Sequence, residues 1–231
     1  MLVGKDPYIM HFEEIHNIGQ LMELIDRVGF LPLLNSGISG FSAEDMVDEE
    51  CRYVTFPDGG WEWPLWEWKG SVITDGGYIY GKFFAGKAGF ISRKWWPDFC
   101  NYRRSVHPMP DENSIEDAIL QTLTLNGSMI TRELRTACGF TGSGMRSKFD
   151  SYVTHLQMAC RIVTENFVYP HDKHGKRYGW GWSLLTTPEQ LYGSEFCKCT
   201  RSPEESFELI KHQLKSVCTD ATDKQILKML R

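Results

Sequence analysis

Basic side chains gather in two stretches of a chain that is acidic as a whole. The protein has 231 residues and a formal net charge of −5. Residues 81–104 nevertheless carry six Lys or Arg against one Asp, and residues 144–180 carry six against three Asp or Glu. Local positive potential attracts phosphate even on an acidic molecule, so these stretches favour a polyanionic partner, with ordinary solvated charge as the alternative. The side chains predicted to bind nucleic acid are Lys87, Arg93, Lys94, Arg146, Lys148, Lys173, Lys176 and Arg177.

Two carboxylates lie in a tryptophan-rich segment, where acid–base catalysis is the chemistry to consider. Glu62 and Glu67 are interspersed with the four tryptophans of residues 61–68. Burial among indole rings would favour the protonated acid and suit it to proton transfer. Glutamates that point to solvent between buried tryptophans are the alternative. Nucleophilic catalysis has less support, because the chain has no Gly-x-Ser-x-Gly motif and no recognisable triad order.

Histidine and cysteine spacing gives little support for a metal site. Cys197 and Cys199 form an isolated Cys-x-Cys, and His171 and His174 have no third ligand nearby in the sequence. The seven cysteines are an odd number without framework spacing, which favours reduced thiols. We therefore expect no metal.

Composition excludes several classes of protein. Hydrophobic residues make up 42% of the chain and charged residues 24%, which is typical of a folded globular protein rather than a disordered or collagen-like one. No apolar run approaches the roughly 20 residues of a membrane-spanning helix, and the first residues lack the pattern of a signal peptide. We expect a cytoplasmic protein with no membrane partner.

Residues 1–110 must position the first basic stretch and the tryptophans. Apolar residues at three- and four-residue spacing predict a helix within residues 11–34 that Gly29 ends. The tryptophan-rich residues 61–68 are predicted to pack as a non-helical segment. Residues 78–80 follow two glycines and are predicted to form a strand.

Residues 111–187 have the element order of a winged helix, with three helices followed by a hairpin that has a basic tip. Ser114 can cap the first helix, and the third carries Arg146 and Lys148 off its apolar stripe. In this fold the third helix enters a DNA groove, and the hairpin, or wing, contacts the backbone. The predicted elements are helices over 114–125 and 129–138, a third helix from 145, and strands over 161–169 and 178–186.

Residues 188–231 are predicted to form a helical tail that packs on the rest of the chain. Thr187 can cap its start, and two further helices are predicted over 203–218 and 220–231. The chain is thus predicted to be α+β and mainly helical. A winged helix is expected to pack against an N-terminal helical and tryptophan-rich segment.

Several stretches resemble the winged-helix DNA glycosylases that unhook interstrand crosslinks, the AlkZ/YcaQ family. Residues 80–103 are similar to that family's segment of the form YWxHxASFLPxxxYPxxxxR, and residues 114–186 to its winged-helix block. Residues 28–34 are similar to its LGFVQID-type segment, and the chain also looks like a short bacterial subgroup related to these enzymes. The resemblance implies binding to double-stranded DNA and hydrolysis of the N-glycosidic bond of N7-alkylated purines, without metal or cofactor.

The positions that the resemblance assigns to catalysis hold other residues in this chain. The family's Gln-x-Gln or Gln-x-Asp pair falls on Pro32 and Leu34, neither of which can orient or deprotonate a water molecule. The family's histidine falls on Gly86, and the acid beside it on Lys87. The resemblance therefore supports the fold and the DNA partner more strongly than it supports the reaction.

We predict a winged-helix protein that binds double-stranded DNA and is related to crosslink-repair glycosylases. An active glycosylase that acts on alkylated purines is one alternative, with Glu67 or Glu62 in the catalytic role and Asn35 as a further candidate. A non-catalytic protein-interaction module with the same fold is the other alternative, in which the tryptophan-rich segment docks a protein or the chain's own tail.

Overall fold

The computed structural model describes residues 14–35, 37–175 and 177–230, and among these residues no helix is both long and apolar enough to cross a membrane. The helices are α1 Ile18–Val28, α2 Ala43–Met46, α3 Pro64–Thr74, α4 Trp96–Val106, α5 Ile115–Asn126, α6 Thr131–Ala137, α7 Met145–Met158, α8 Pro188–Tyr192, α9 Pro203–Val217 and α10 Asp223–Met229. The strands are β1 Phe30–Pro32, β2 Val54–Thr55, β3 Trp61–Glu62, β4 Ile79–Phe84, β5 Lys87–Ile91, β6 Met129–Ile130, β7 Val163–Val168 and β8 Trp182–Thr186.

Six strands form one antiparallel sheet in the order β1-β5-β4-β7-β8-β6, and β2 and β3 form a separate hairpin. Pro32 of β1 lies opposite Gly89 of β5. Tyr80 of β4 pairs with Thr164 of β7, which makes the sheet continuous between the N-terminal strands and the strands that follow α7. The mixed α and β class, with more helix than strand, is confirmed.

The larger hydrophobic core lies on the N-terminal part of the sheet and includes the C-terminal helices. Phe30, Phe83 and Phe99 are fully buried, and the ring of Phe99 lies 5.7 Å from that of Phe30 and 5.8 Å from that of Phe83. Ile210 and Leu214 of α9 are fully buried in the same cluster. The helices predicted over 203–218 and 220–231 are therefore present, as α9 and α10, and they pack on this core.

Gly29 ends α1 in a backbone conformation that only glycine adopts easily. Its φ is +83°, and its N–H donates to the Ile25 carbonyl at 2.8 Å. A Cβ at this position would lie 2.5 Å from Cδ1 of Trp95. Residue 29 therefore needs both a positive φ and the absence of a side chain, and the predicted end of the helix at Gly29 is confirmed.

Two other predictions for the N-terminal segment are wrong in their extent or type. Among the described residues the helix expected within 11–34 covers only 18–28, and residues 30–32 form β1 because they pair with β5. Residues 11–13 lie outside the described part of the chain. The tryptophan-rich segment becomes helical at Pro64, where α3 begins. Proline suits a first helical position because the N–H that it lacks has no intrahelical partner there.

The smaller hydrophobic core lies between α5, α6, α7 and β8. Leu123 of α5, Leu134 of α6, Phe149 and Val153 of α7, and Leu185 of β8 are buried together. All three predicted helices are present, although β6 occupies the first two residues of the expected second helix. Strands β7 and β8 lie within the two predicted strands, and β8 also pairs with β6.

Two polar side chains join the larger and the smaller core next to the β4–β7 pairing. Gln157 of α7 is buried, and its Oε1 accepts a hydrogen bond from the backbone N–H of Lys82 at 2.6 Å. The buried Arg103 of α4 donates from Nε to the carbonyl of Met158 at 2.6 Å. The C-terminal end of α7 is therefore fixed to β4 and α4.

A polar network joins α4 to α9. The buried Asp98 accepts hydrogen bonds from Oγ of Ser206 at 2.8 Å and from Nη1 of Arg201 at 3.0 and 3.1 Å. Asn101 donates to the same Ser206 hydroxyl at 3.0 Å. Because Ser206 is fully buried, loss of the carboxylate would leave its hydroxyl without its acceptor.

Candidate functional site

The exposed face of α7 carries the polar residues expected there. Phe149 and Val153 point into the smaller core, which turns Arg146, Lys148 and Ser151 toward solvent. The preceding helix α6 is fixed to β8 because Oγ1 of Thr131 donates to the carbonyl of Ser183 at 3.0 Å. The two helices and β8 therefore form one surface.

A small cavity of about 120 Å³ opens on this surface and is lined by three arginines. Nε of Arg146 lies 3.7 Å from Oδ2 of Asp150, and the Arg146 side chain is 81% exposed. Within the described residues, the side chains of Arg132 and Arg135 have no carboxylate partner. Three guanidinium groups against one carboxylate give the cavity a positive charge that fits a phosphate oxygen. The lining residues are Thr131, Arg132, Arg135, Arg146, Asp150 and Trp182.

Arg132 and Arg135 are the site residues that the sequence analysis missed. They lie three residues apart on α6, which places them on the same face of the helix. That spacing is visible in the sequence. What the sequence did not show is that α6 lies beside the start of α7, so that these two charges converge with Arg146.

The loop of the β7–β8 hairpin, residues 169–181, holds the other predicted basic residues, and we call this loop the wing as a label for its position. Lys173 is exposed, and Lys176 lies outside the described residues. The guanidinium of Arg177 contacts a carboxylate, with Nη2 at 2.5 Å from Oε2 of Glu67, and its Cζ lies 3.1 Å from the centroid of the Tyr169 ring. Lys173 and Arg177 are thus both exposed, and Arg177 in addition fixes the wing to α3 through Glu67.

Neither predicted catalytic glutamate is buried. Glu62 on β3 is exposed, and the Glu67 side chain on α3 is 47% exposed and paired with Arg177. Their exposure therefore agrees with the alternative in which both glutamates point to solvent, and it disagrees with the prediction that they are buried. Neither carboxylate therefore has the buried, apolar surroundings on which the catalytic prediction depends.

A buried lysine lies directly below this ion pair. Lys69 is fully buried, and its Nζ donates to the Trp66 carbonyl at 2.9 Å and to the Tyr169 hydroxyl at 3.3 Å. The ammonium also lies 3.8 Å from the Trp66 ring centroid and 4.2 Å from that of Phe167. Burial lowers the pKa of Lys69 to about 7, with Glu67 opposing that shift and Arg177 adding to it.

Five aromatic rings beside Lys69 form what we call the aromatic cluster, which joins the wing to the tryptophan-rich segment. Trp61 stacks on Tyr53 at 5.3 Å and on Trp180 at 4.9 Å. Trp63 and Trp66 stack on each other at 4.9 Å and present their rings edge-on to Trp180. Three of the four tryptophans of residues 61–68 therefore pack against Trp180 of the wing.

The remaining predicted basic residues do not form one surface. Lys87 opens β5, whereas Arg93 follows its end, and an extended chain of that length separates them by about 20 Å. Lys87 donates to the carbonyl of Asn35, and Arg93 packs over the Phe196 ring at 4.5 Å. Lys94 is exposed beside Trp95.

The segments that carry the family resemblance lie next to each other in the sheet. Buried Pro32 of β1 is paired with β5, and Leu33 donates its backbone N–H to the Ala88 carbonyl at 2.9 Å. Leu34 is half-buried, and Gly86 lies in the turn before β5. The two positions implied for the family's catalytic pair thus hold apolar side chains at the edge of the sheet.

One group of potential metal ligands is present in the described residues. Single ligand atoms of Glu14, His16 and Asp48 all lie within 4.8 Å of one another. Two of these side chains are exposed, and exposed groups of this kind are common without a metal. We therefore assign no metal site to these three side chains.

Comparison with known proteins gave one match. A family model described as AlkZ related matches residues 15–231, which is nearly the whole chain. No curated protein and no solved structure matches the chain.

Proposed function

The chain belongs to the AlkZ-related family, and on that premise we propose that it binds double-stranded DNA through a winged helix formed by residues 111–187. The cavity lined by Arg132, Arg135 and Arg146 is the observation that carries the proposal. Guanidinium groups that outnumber the carboxylates beside them favour a phosphate-bearing partner, because each can donate two hydrogen bonds to phosphate oxygens.

The order and pairing of the elements support the winged-helix assignment. α5, β6, α6 and α7 precede the β7–β8 hairpin, and β6 pairs with the outer edge of β8. In this fold the third helix, here α7, lies in the major groove with its first turns near the base edges. Arg146 and Lys148 occupy those first turns and supply the donors that such a position needs.

The wing contributes backbone contacts at the side of the groove. Lys173 is exposed at the wing tip and suits a phosphate contact, whereas Arg177 holds the wing in place through Glu67. Counting Lys173, Arg132, Arg135, Arg146 and Lys148, five cations face the proposed duplex. Five phosphate contacts give a fall in affinity of about 500-fold between 50 and 200 mM salt.

We further propose that the protein does not release bases by the route of the crosslink-repair glycosylases. Pro32 and Leu34 occupy the positions of that family's catalytic pair, and neither side chain can activate water. A duplex that contains N7-methylguanine should therefore keep its methylated base during incubation with the protein. If the wild type releases the methylated base and a Glu67→Gln variant does not, that result would instead support the glycosylase alternative.

Fluorescence anisotropy with a labelled duplex at 50 and 200 mM salt tests the binding proposal. We expect steeply salt-dependent binding, and an Arg132→Ala/Arg135→Ala variant should lose at least tenfold in affinity and about two units of the salt slope. The matched control is Lys224→Ala/Lys228→Ala, which removes two exposed charges from α10 and should bind as the wild type does. Absence of duplex binding at 50 mM salt would refute the proposal and favour the protein-interaction module.

A further inference from the structure

The aromatic cluster leaves much of its ring surface open to solvent. Tyr53, Trp61 and Trp180 are each close to half exposed, and Phe56 and Tyr178 at its margins are 41% and 56% exposed. Large apolar groups are usually exposed one at a time, so five neighbouring exposed aromatic side chains indicate a binding surface. The ion pair and buried lysine beneath them do not account for this exposure.

The exposed rings are held in position by the packing around them. Trp180 lies edge-on to Trp63 at 6.1 Å and to Trp66 at 5.6 Å. The next residue, Gly181, has a φ of +77°, and a Cβ there would lie 2.9 Å from the Tyr169 ring. A glycine at position 181 lets the backbone lie close to the Tyr169 ring on the opposite side of the hairpin. The neighbouring Trp180 then stacks on Trp61. The surface is therefore preformed, which lowers the cost of ordering it on binding.

We propose that this aromatic surface stacks unpaired nucleobases of single-stranded DNA. Every base has a flat π face, so a series of stacked Tyr and Trp rings can accept bases without regard to sequence. In the series Tyr53–Trp61–Trp180 the ring centroids are 5.3 and 4.9 Å apart. A nucleobase that stacks on the ring at an exposed end would lengthen this series by one.

Charge fixes the direction in which a strand would leave the surface. Lys173 lies on the loop that carries Trp180, and Arg177 of the same loop is already paired with Glu67, whereas the acidic Asp58 and Glu62 lie on the β2–β3 hairpin at the other side. Phosphates would therefore be repelled from the hairpin end and attracted to the wing end by Lys173. Because at most two cations take part, binding to a single strand should depend only weakly on salt.

The test uses the full chain and a fluorescein-labelled ten-residue oligo-dT, which cannot form a duplex. We expect binding at 50 mM salt with quenching of tryptophan fluorescence, and a log–log salt slope no steeper than about −1.4. A Trp180→Leu variant keeps an apolar side chain but loses the stacking ring, and it should lose about tenfold in affinity. Trp180→Phe should stay within about threefold of the wild type, and the exposed Leu125→Ala should bind normally.

Two results would overturn the inference. One is the absence of binding to oligo-dT at 50 mM salt, and the other is a Trp180→Leu variant that binds as tightly as the wild type. The Arg132→Ala/Arg135→Ala variant separates this inference from the duplex proposal. It should lose duplex affinity and keep oligo-dT affinity, whereas Trp180→Leu should do the reverse.

Discussion

Replacement of Lys69 by Met should remove a pH dependence of stability that the wild type shows above neutral pH. The Lys69 ammonium is fully buried against the Trp66 and Phe167 rings, and burial lowers its pKa from 10.5 to about 7. Between pH 7 and pH 10.5 the Lys69 side chain binds a proton in the unfolded chain but not in the native chain. The free energy of unfolding of the wild type should therefore rise with pH across this window.

The size of the effect follows from the two pKa values. Below pH 7 the native state carries the full cost of a buried charge, and that cost is lost as pH rises toward 10.5. Between pH 7.5 and 9.0 the contribution of Lys69 amounts to a gain of about 2 kcal/mol in the wild type. Lys69→Met cannot show this gain, because its straight apolar side chain fills the site without titrating.

Urea unfolding followed by far-UV circular dichroism at pH 7.5, 8.0, 8.5 and 9.0 measures this difference. The wild type should gain about 2 kcal/mol relative to Lys69→Met across the series, while other titrating groups cancel between the two proteins. Lys173→Met, which removes an exposed lysine from the wing, should show no such pH-dependent difference. A constant difference between wild type and Lys69→Met at all four pH values would refute the reasoning.

Two further substitutions test the packing that holds the site together. Gly29→Ala should lower the free energy of unfolding in urea by at least about 2 kcal/mol, because the new Cβ meets Trp95 and φ is positive. As the control, Gly70→Ala should be neutral or stabilising, because a Cβ has room at that position in α3. Asp98→Asn should cost about 2 kcal/mol in the same assay, because the Arg201 and Ser206 hydrogen bonds lose their charged acceptor. Equal unfolding midpoints for Asp98→Asn and wild type would contradict the role given to that network.

Local sequence signals predicted the three-helix region well. Ser114 caps α5 by accepting a hydrogen bond from the Asp117 N–H at 3.1 Å, as its position before an apolar helix indicated. The two strands that flank the wing, β7 and β8, were also predicted. These features depend on neighbours within a few residues, so the sequence alone contains the physical information that determines them.

Features that depend on distant neighbours were not predicted. The segment with four tryptophans was interpreted as non-helical, although Pro64 begins α3, because aromatic residues give no clear helical period. The convergence of Arg132 with Arg146 requires the contact between α6 and α7. The burial of Lys69 requires Phe167 and Tyr169, about one hundred residues away, to cover it. Long-range packing of this kind leaves no local pattern to read.

The continuous sheet limits how far the two parts of the chain can be separated. A segment that folds on its own has borders across which few contacts are made. Here β4 and β7 pair across that border, and Gln157 satisfies the amide of the adjacent Lys82. Excision of residues 111–187 would expose an unpaired strand edge on β4, which promotes aggregation. The two parts of the chain therefore share one sheet, and each covers a strand edge of the other.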